Sequence, residues 1–143
     1  MKEFITKEQQ SLIIKSIERA ELNTSGEIRV HIESKCKSDV MGRAISIFNY
    51  LKMYKTERRN GVLVYVAFES HKLAIIGDVG INERVPSDFW DGIKNNMVAD
   101  FAQGRFVEGI CRAVEAVGES LKEYFPYKSD DVNEQPNEVS FGE

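Results

Sequence analysis

The sequence has few cysteines, no long hydrophobic run and no excess of positive charge, and each absence excludes a class of protein. Its 143 residues include only Cys36 and Cys111, without a CxxC motif, which indicates a reducing compartment. No apolar run approaches the roughly 18–20 residues of a membrane span, and the N-terminus lacks the apolar region of a signal peptide. We therefore predict a cytoplasmic protein without a transmembrane segment.

The net charge of −4 comes entirely from the C-terminal residues. The sequence has 19 basic and 23 acidic residues, and residues 126–143 contain one of the basic and five of the acidic ones. The first 125 residues are thus neutral by formal charge, which argues against a nucleic-acid-binding surface. Residues 126–143 show no hydrophobic periodicity. We predict one globular domain over residues 1–125, followed by a disordered acidic tail over 126–143.

Hydrophobic periodicity predicts an α/β protein with the element order α-β-α-β-β-α-α. Thr6 and Gln9 form a capping box at the start of the first helix, and Asp39 is placed to cap the second. Strict alternation over residues 27–33 is typical of a strand with one buried face, whereas the continuous apolar run after Asn60 is typical of a central strand. The fold prediction is a three-layer α/β/α sandwich with a small mixed sheet. The predicted helices are 6–22, 40–53, 87–101 and 105–125, and the predicted strands are 27–33, 62–68 and 73–76.

This topology brings acidic residues from distant parts of the sequence to one edge of the sheet. Strands one and two are joined by a helix and should run parallel, and strand three should return antiparallel. The starts of strands one and two then meet the end of strand three. Carboxylates of this kind suit Ca²⁺, Mg²⁺ or Mn²⁺, and Asn60 would supply a further oxygen. The predicted metal ligands are Glu27, Asp78, Asp88 and Asp91, with Glu83 in the same neighbourhood.

Two other interpretations of these residues stay open. Asp88 and Asp91 lie in the first turn of a predicted helix, where acidic side chains are favoured by the helix dipole, and Glu27 would form an ion pair with Arg58 or Arg59. Arg58, Arg59 and Asn60 would alternatively bind a phosphorylated ligand through a bridging metal. Neither a GxSxG elbow nor a Walker loop is present, so catalytic residues stay unassigned.

Four segments of the sequence carry a resemblance to a known family: TSGEIRV (24–30), NGVLVYVA (60–67), AIIGDVGI (74–81) and FAQGRF (101–106). Together they resemble the TPM domain family, found in a plant thylakoid lumen protein, a photosystem repair protein and a receptor-maturation protein. The resemblance covers about residues 5–125. It implies an α/β/α sandwich with an acidic cleft that binds divalent metal at the sheet edge, and acid phosphatase activity for some plant members. Many relatives have a Gly-Tyr-Gly-Leu-Glu run after the third strand, where this chain has residues 77–82 without that glutamate.

Three functions are consistent with these observations. The first is a binding or regulatory domain that holds a divalent cation, with Ca²⁺ preferred, because the sequence supplies ligands more readily than catalytic groups. The second is a metal-dependent phosphomonoester hydrolase with Glu27 or Asp88 as general base. The third is a protein-interaction module that uses the sheet edge and the tail. The predicted partners are a phosphorylated small molecule or a protein, and the predicted oligomeric state is a monomer.

Overall fold

The computed structural model describes residues 5–127 and 134–142 of the chain. Helices and strands alternate through the first half, and helices dominate the second. The order agrees with the predicted one except for a short helix, α3, and a C-terminal strand, β4. In chain order the described elements are α1 (Lys7–Glu21), β1 (Glu27–Glu33), α2 (Val40–Tyr50), β2 (Gly61–Ala67), β3 (Lys72–Gly77), α3 (Val79–Asn82), α4 (Asp91–Ala102), α5 (Phe106–Leu121) and β4 (Val139–Phe141).

The four strands form one mixed sheet in the order β3-β2-β1-β4. β1 and β2 run parallel, with Glu27 opposite Gly61 and Glu33 opposite Ala67. β2 and β3 form an antiparallel hairpin, and His71 takes a left-handed backbone conformation (φ 55°) in its turn. The parallel pair and the hairpin confirm the topology predicted for the first three strands.

Helices cover both faces of the sheet. One face presents the alternate apolar residues of β1 and β2, such as Ile28 and Val62, to α1, α4 and α5. The other presents Leu63 and Tyr65 to α2 and its flanking residues, including Phe48 and Met53. The predicted α/β/α sandwich is therefore confirmed. No helix in the described part of the chain is long and apolar enough to span a membrane.

The predicted caps of the first two helices are confirmed. The Thr6 hydroxyl accepts a hydrogen bond from the Gln9 amide, and the Gln9 side chain accepts one from the Thr6 amide. Asp39 Oδ2 accepts a hydrogen bond from the Gly42 amide at 2.9 Å. Since each cap uses residues three apart in sequence, local pattern is sufficient to predict it.

The predicted start of the third helix at residue 87 was wrong. Residues 86–90 form turns, in which the Phe89 amide donates to the Pro86 carbonyl and the Asp91 amide to the Asp88 carbonyl, and α4 begins only at Asp91. A one-turn helix, α3, replaces the glycine loop predicted after strand three, because Asp78 caps it. The last helix ends at Leu121, four residues earlier than predicted.

The C-terminal residues differ from the predicted disordered tail. Val139–Phe141 pair in parallel with Val30–Ile32 of β1, and Val139 and Phe141 pack against the core. Residues 128–133 and 143 of the predicted tail lie outside the described residues. Three residues are too few to show the alternation that identifies a strand in a sequence. This strand forms because its backbone pairs with the edge of β1 that β2 does not use.

Candidate functional site

The starts of β1 and β2 and the end of β3 meet at one edge of the sheet, here called the Glu27 edge. Glu27 is the first residue of β1, and its amide donates to the Asn60 carbonyl at 3.3 Å. The Asp78 amide, directly after β3, donates to the Gly61 carbonyl at 2.9 Å. These backbone bonds bring Glu27, Asn60 and Asp78 to the same edge, as the topology predicts.

The Asp78 carboxylate is already paired at this edge. It caps α3, with Oδ1 accepting from the Val79 amide at 2.8 Å. The Arg59 guanidinium donates two further bonds, from Nε to Oδ2 at 2.7 Å and from Nη2 to Oδ1 at 2.9 Å. These bonds to Asp78 raise the pKa of Arg59. The negative charge of Asp78 is therefore neutralised by a bidentate ion pair, which differs from the Glu27 pairing considered as an alternative.

Gly80 allows the two loops that carry this ion pair to approach each other. Its amide donates to the Arg59 carbonyl at 2.9 Å. A Cβ atom at residue 80 would overlap the Arg58 carbonyl oxygen and lie 2.6 Å from that of Arg59. Arg59 itself adopts the left-handed backbone region (φ 52°), an unfavourable conformation for a non-glycine residue that surrounding contacts must hold.

The Glu27 carboxylate is buried and accepts hydrogen bonds from the C-terminal segment, defined here as residues 134–142. Its side chain is 5% exposed, and Oε1 accepts from the amides of Glu134 at 2.6 Å and Gln135 at 2.8 Å. These donors are more than 100 residues away in sequence. Sequence analysis missed them because residues 134 and 135 carry no pattern that signals a contact with β1.

Asn60 contributes a buried oxygen that is not satisfied. The residue is 1% exposed, its amide donates to the Thr56 hydroxyl at 3.1 Å, and its Nδ2 lies 3.5 Å from Ser25 Oγ. Within the described residues, Asn60 Oδ1 has no hydrogen-bond partner. Buried polar atoms are almost always paired in native proteins, so this oxygen marks a position where a ligand would be favoured.

The other two predicted ligands are surface residues. Asp88 and Asp91 are exposed, and the Asp91 carboxylate lies 3.8 Å from Lys94 Nζ on its own helix. Over residues 5–127 and 134–142, no group of three or more acidic, histidine or cysteine side chains is arranged to hold a metal. The convergence of four carboxylates was predicted from the sheet topology and from the short distance in sequence between strand three and the third helix, and it stays a prediction for Asp88 and Asp91.

Arg58 and Ser25 form the exposed rim of the Glu27 edge. Arg58 Nη1 donates to Ser25 Oγ at 3.0 Å, so a guanidinium and a hydroxyl lie next to the start of β1. On the other side of Asp78, a groove of about 390 Å³ runs between α2 and β3 and is lined by Met41, Ile45 and Trp90 among others. The predicted ligand-binding residues thus have different surroundings. Arg58 contacts Ser25, Arg59 pairs with Asp78, and Asn60 has a buried side-chain oxygen without a hydrogen-bond partner in the described residues.

A second acidic side chain, Glu21, lies close to this edge. Its Oε2 accepts from the Ile28 amide at 2.9 Å. Burial raises the pKa of Glu21 to about 8, and the nearby negative charge of Glu27 acts in the same direction. The edge therefore holds one carboxyl that favours its neutral form at pH 7 beside one that carries bonds suited to a negative charge.

Sequence analysis also missed a buried polar network at the far end of β1. Glu33 is 1% exposed and accepts from Arg43 (Nε at 2.9 Å, Nη2 at 2.8 Å), from the Tyr65 hydroxyl and from His31 Nε2 at 3.1 Å. Burial alone would raise the pKa of Glu33, but the bonds from Arg43, Tyr65 and His31 outweigh it and lower the pKa to about 2. The signal for this network in the sequence is the alternation of polar and apolar residues over 27–33. We interpreted the polar residues of this strand as facing solvent.

Comparison with known proteins relates this chain to one domain family and to a solved structure. The family described as the TPM domain matches residues 1–120. A solved NMR structure, of the BA42 protein from the psychrophilic bacterium Bizionia argentinensis, is 47% identical to this chain and superposes with a TM-score of 0.91, over 97% of this chain and 96% of that one. No curated protein gives a significant match. Because the family match extends over most of the sequence, the chain belongs to the TPM domain family.

Proposed function

We propose that this domain binds a divalent cation at the Glu27 edge, with Ca²⁺ the expected ion and Mg²⁺ or Mn²⁺ the alternatives. The observation that carries the proposal is the buried Asn60 Oδ1, which has no hydrogen-bond partner in the described residues. A buried acceptor without a donor costs free energy. A cation is a partner that removes this cost, and amide oxygens are among the ligands that Ca²⁺ accepts.

Glu27 supplies the negative charge for this cation. Its backbone is bonded to that of Asn60, so both side chains start from the same edge, and a carboxylate with an amide oxygen is a donor set for hard cations. Asp78 is a second carboxylate there, available to a cation only where Arg59 releases it. The proposal assigns no role to Asp88 and Asp91, because both are exposed on the segment that leads into α4.

Bound at this position, a cation would supply positive charge between the starts of β1 and β2. A ligand that binds only the folded state stabilises it by mass action. The domain would therefore act as a binding or regulatory unit whose loops become more rigid when the cation is present. This function needs no general base or nucleophile.

The test is a titration of the full chain with CaCl₂ and, separately, MgCl₂, followed by backbone NMR and thermal unfolding. Wild-type protein should show amide shifts around residues 26–28 and 60–61 and a higher unfolding midpoint at millimolar Ca²⁺. Glu27→Gln and Asn60→Ala should each weaken binding by about tenfold or more. Asp91→Asn is the matched control, an acidic residue on the surface, and should bind like wild type. Equal affinity in Glu27→Gln and wild type would refute the proposed ligand set.

A second candidate is hydrolysis of a phosphomonoester at the same edge. It is favoured by the Arg58 guanidinium beside Ser25 Oγ, because an arginine next to a cation site is suited to hold the phosphate that the cation neutralises. Purified protein with added Mg²⁺ or Ca²⁺ should then cleave an aryl phosphate, and Arg58→Gln should raise KM. Absence of turnover in cation-loaded protein would leave the binding function alone.

A further inference from the structure

The segment that covers Glu27 is bound at several points along β1. Besides the two amides on the Glu27 carboxylate, Gln135 Nε2 donates to the Lys52 carbonyl at 3.3 Å, and Glu138 accepts from Arg29 Nη2 at 3.3 Å. Further along, Ser140 Oγ lies 2.9 Å from His31 Nδ1. The C-terminal segment therefore lies alongside the whole of β1, from the proposed cation ligand to the far end of the strand.

The contact with Glu27 occupies the lone pairs of Oε1, which a cation bound to that oxygen, alone or together with Oε2, would also use. Two N–H groups point at Oε1 from 2.6 and 2.8 Å, and each carries partial positive charge at its hydrogen. A cation bound to Oε1 would be repelled by the partial positive charge on these two N–H groups, so the cation and the amides cannot bind that oxygen at the same time. Glu134 and Glu138 add negative charge to the segment, and this charge attracts a cation towards the edge that the segment covers.

We propose that the C-terminal segment is an autoinhibitory strap, in which the amides of residues 134 and 135 occupy Glu27 and are displaced when a divalent cation binds there. This inference rests on the proposed cation-binding function. The closed form also carries a cost that opening relieves: Arg29 is buried, and its Nε has no hydrogen-bond partner in the ranges that the structure describes. Water reaches this atom when the strap leaves.

Competition of this kind has two measurable consequences. The apparent association constant for the cation is the intrinsic constant multiplied by the fraction of molecules whose strap is open. Weakening the strap increases this fraction and therefore raises the apparent affinity. By reciprocity, cation binding loosens the strap by the same factor. The anchors of β4 are suited to this test because Val139 and Phe141 pack on the core rather than on Glu27.

The experiment compares CaCl₂ affinity by calorimetry in full-length wild type, Glu27→Gln, the double variant Val139→Ala/Phe141→Ala, and Val98→Ala as an exposed apolar control. The double variant should bind Ca²⁺ about tenfold more tightly than wild type, and Val98→Ala should not differ from it. In wild type, Ca²⁺ should also speed hydrogen exchange at the amides of Gln135 and Gly142. Ser140→Ala, which removes only the bond to His31, should give a smaller change in the same direction and serves if the double variant does not fold.

The outcomes separate the strap from the cation site. Tighter binding by the strap variants together with lost binding in Glu27→Gln supports both proposals. Unchanged or weaker binding by the strap variants, with Glu27→Gln still impaired, overturns the strap and leaves the cation site. If neither wild type nor the strap variants bind Ca²⁺, nor Mg²⁺ or Mn²⁺ when MgCl₂ or MnCl₂ replaces CaCl₂ in the same calorimetry, both proposals are refuted.

Discussion

The buried Glu33 network offers the sharpest test of how this sheet is stabilised. Glu33→Gln removes the negative charge that accepts two bonds from Arg43 and one each from Tyr65 and His31. The amide that replaces it has one acceptor oxygen, and its NH₂ group faces donors. We expect the variant to fold with lower stability, because the surrounding donors lose their acceptor while they stay buried.

The size of the effect follows from the shifted ionisation of Glu33. The pKa is lowered from 4.5 to about 2, since the bonds from Arg43, Tyr65 and His31 outweigh the opposing effect of burial. A shift of this size corresponds to about 3 kcal/mol of folding stability at pH 7. Breaking a fully buried ion pair costs about 3–5 kcal/mol. Because the Arg43 side chain is 39% exposed and regains water, we expect the lower end, about 3 kcal/mol.

The sign of the pH dependence provides a further check. A carboxyl with a lowered pKa in the folded state contributes stability above pH 4.5, and this contribution is lost as the pH falls towards 2. At pH 3 less than half of it should remain, about 1 kcal/mol. The difference in the free energy of unfolding between wild type and Glu33→Gln should therefore be smaller at pH 3 than at pH 7, because more than half of the contribution from the Glu33 charge is lost.

The assay is urea unfolding at pH 7, 5 and 3, monitored by fluorescence of the single tryptophan, Trp90, which is buried in the folded state. Glu123→Gln, an exposed carboxylate on the segment after α5, is the control and should change stability by less than about 0.5 kcal/mol at each pH. A difference between wild type and Glu33→Gln that stays constant from pH 7 to pH 3 would refute the assignment of the stabilisation to the charge of Glu33.

Three further predictions concern other parts of the fold. Gly80→Ala should destabilise the fold by about 3 kcal/mol, because the added Cβ overlaps backbone oxygens. Gly92→Ala has open space around it in α4 and should stabilise the fold by about 0.5–1 kcal/mol. Similar urea midpoints for the two variants would contradict the close approach at Gly80. Burial lowers the pKa of His31, against the opposing effect of Glu33. The imidazole should therefore titrate below pH 6.5 by NMR, and the folded state should lose stability as the pH falls and His31 becomes protonated. A titration midpoint above pH 6.5 would show that Glu33 dominates. Cys36 is buried and Cys111 is half-buried, and burial raises the pKa of the Cys111 thiol. Both thiols should therefore react with a thiol reagent more slowly in native protein than in urea, Cys36 the more so, and labelling of Cys36 in native protein as fast as in urea would contradict its burial.

Much of the fold was predictable because it depends on neighbouring residues. The caps of α1 and α2 each join residues three apart, and alternation over 27–33 marks a strand without reference to the rest of the chain. The approach of Glu27, Asn60 and Asp78 also follows from sequence order, since a helical crossover makes β1 and β2 parallel and a hairpin returns β3. These inferences need only periodicity and connection rules.

The partners of the charged residues were not predictable in the same way. Glu27 was expected to face a metal or an arginine, but it accepts the amides of residues 134 and 135, while Arg59 pairs with Asp78. The charged side of β1 was expected to face water, yet Glu33 and its neighbours on that side are buried. The partners of Glu27 are more than 100 residues away in sequence, and those of Asp78 and Glu33 include residues on other segments of the chain, so no periodic signal near any of these residues identifies them.

The sequence by itself determined which segments form helices and strands and which strand ends share an edge, because those properties follow from local backbone preference and from connectivity. Only the tertiary structure decided that Glu27 is buried under the amides of residues 134 and 135, that the C-terminal residues lie along β1, and that Glu33 is buried among Arg43, Tyr65 and His31. The physical reason is that burial and pairing of a charge depend on which donors reach it in space, and that is settled when the layers pack together.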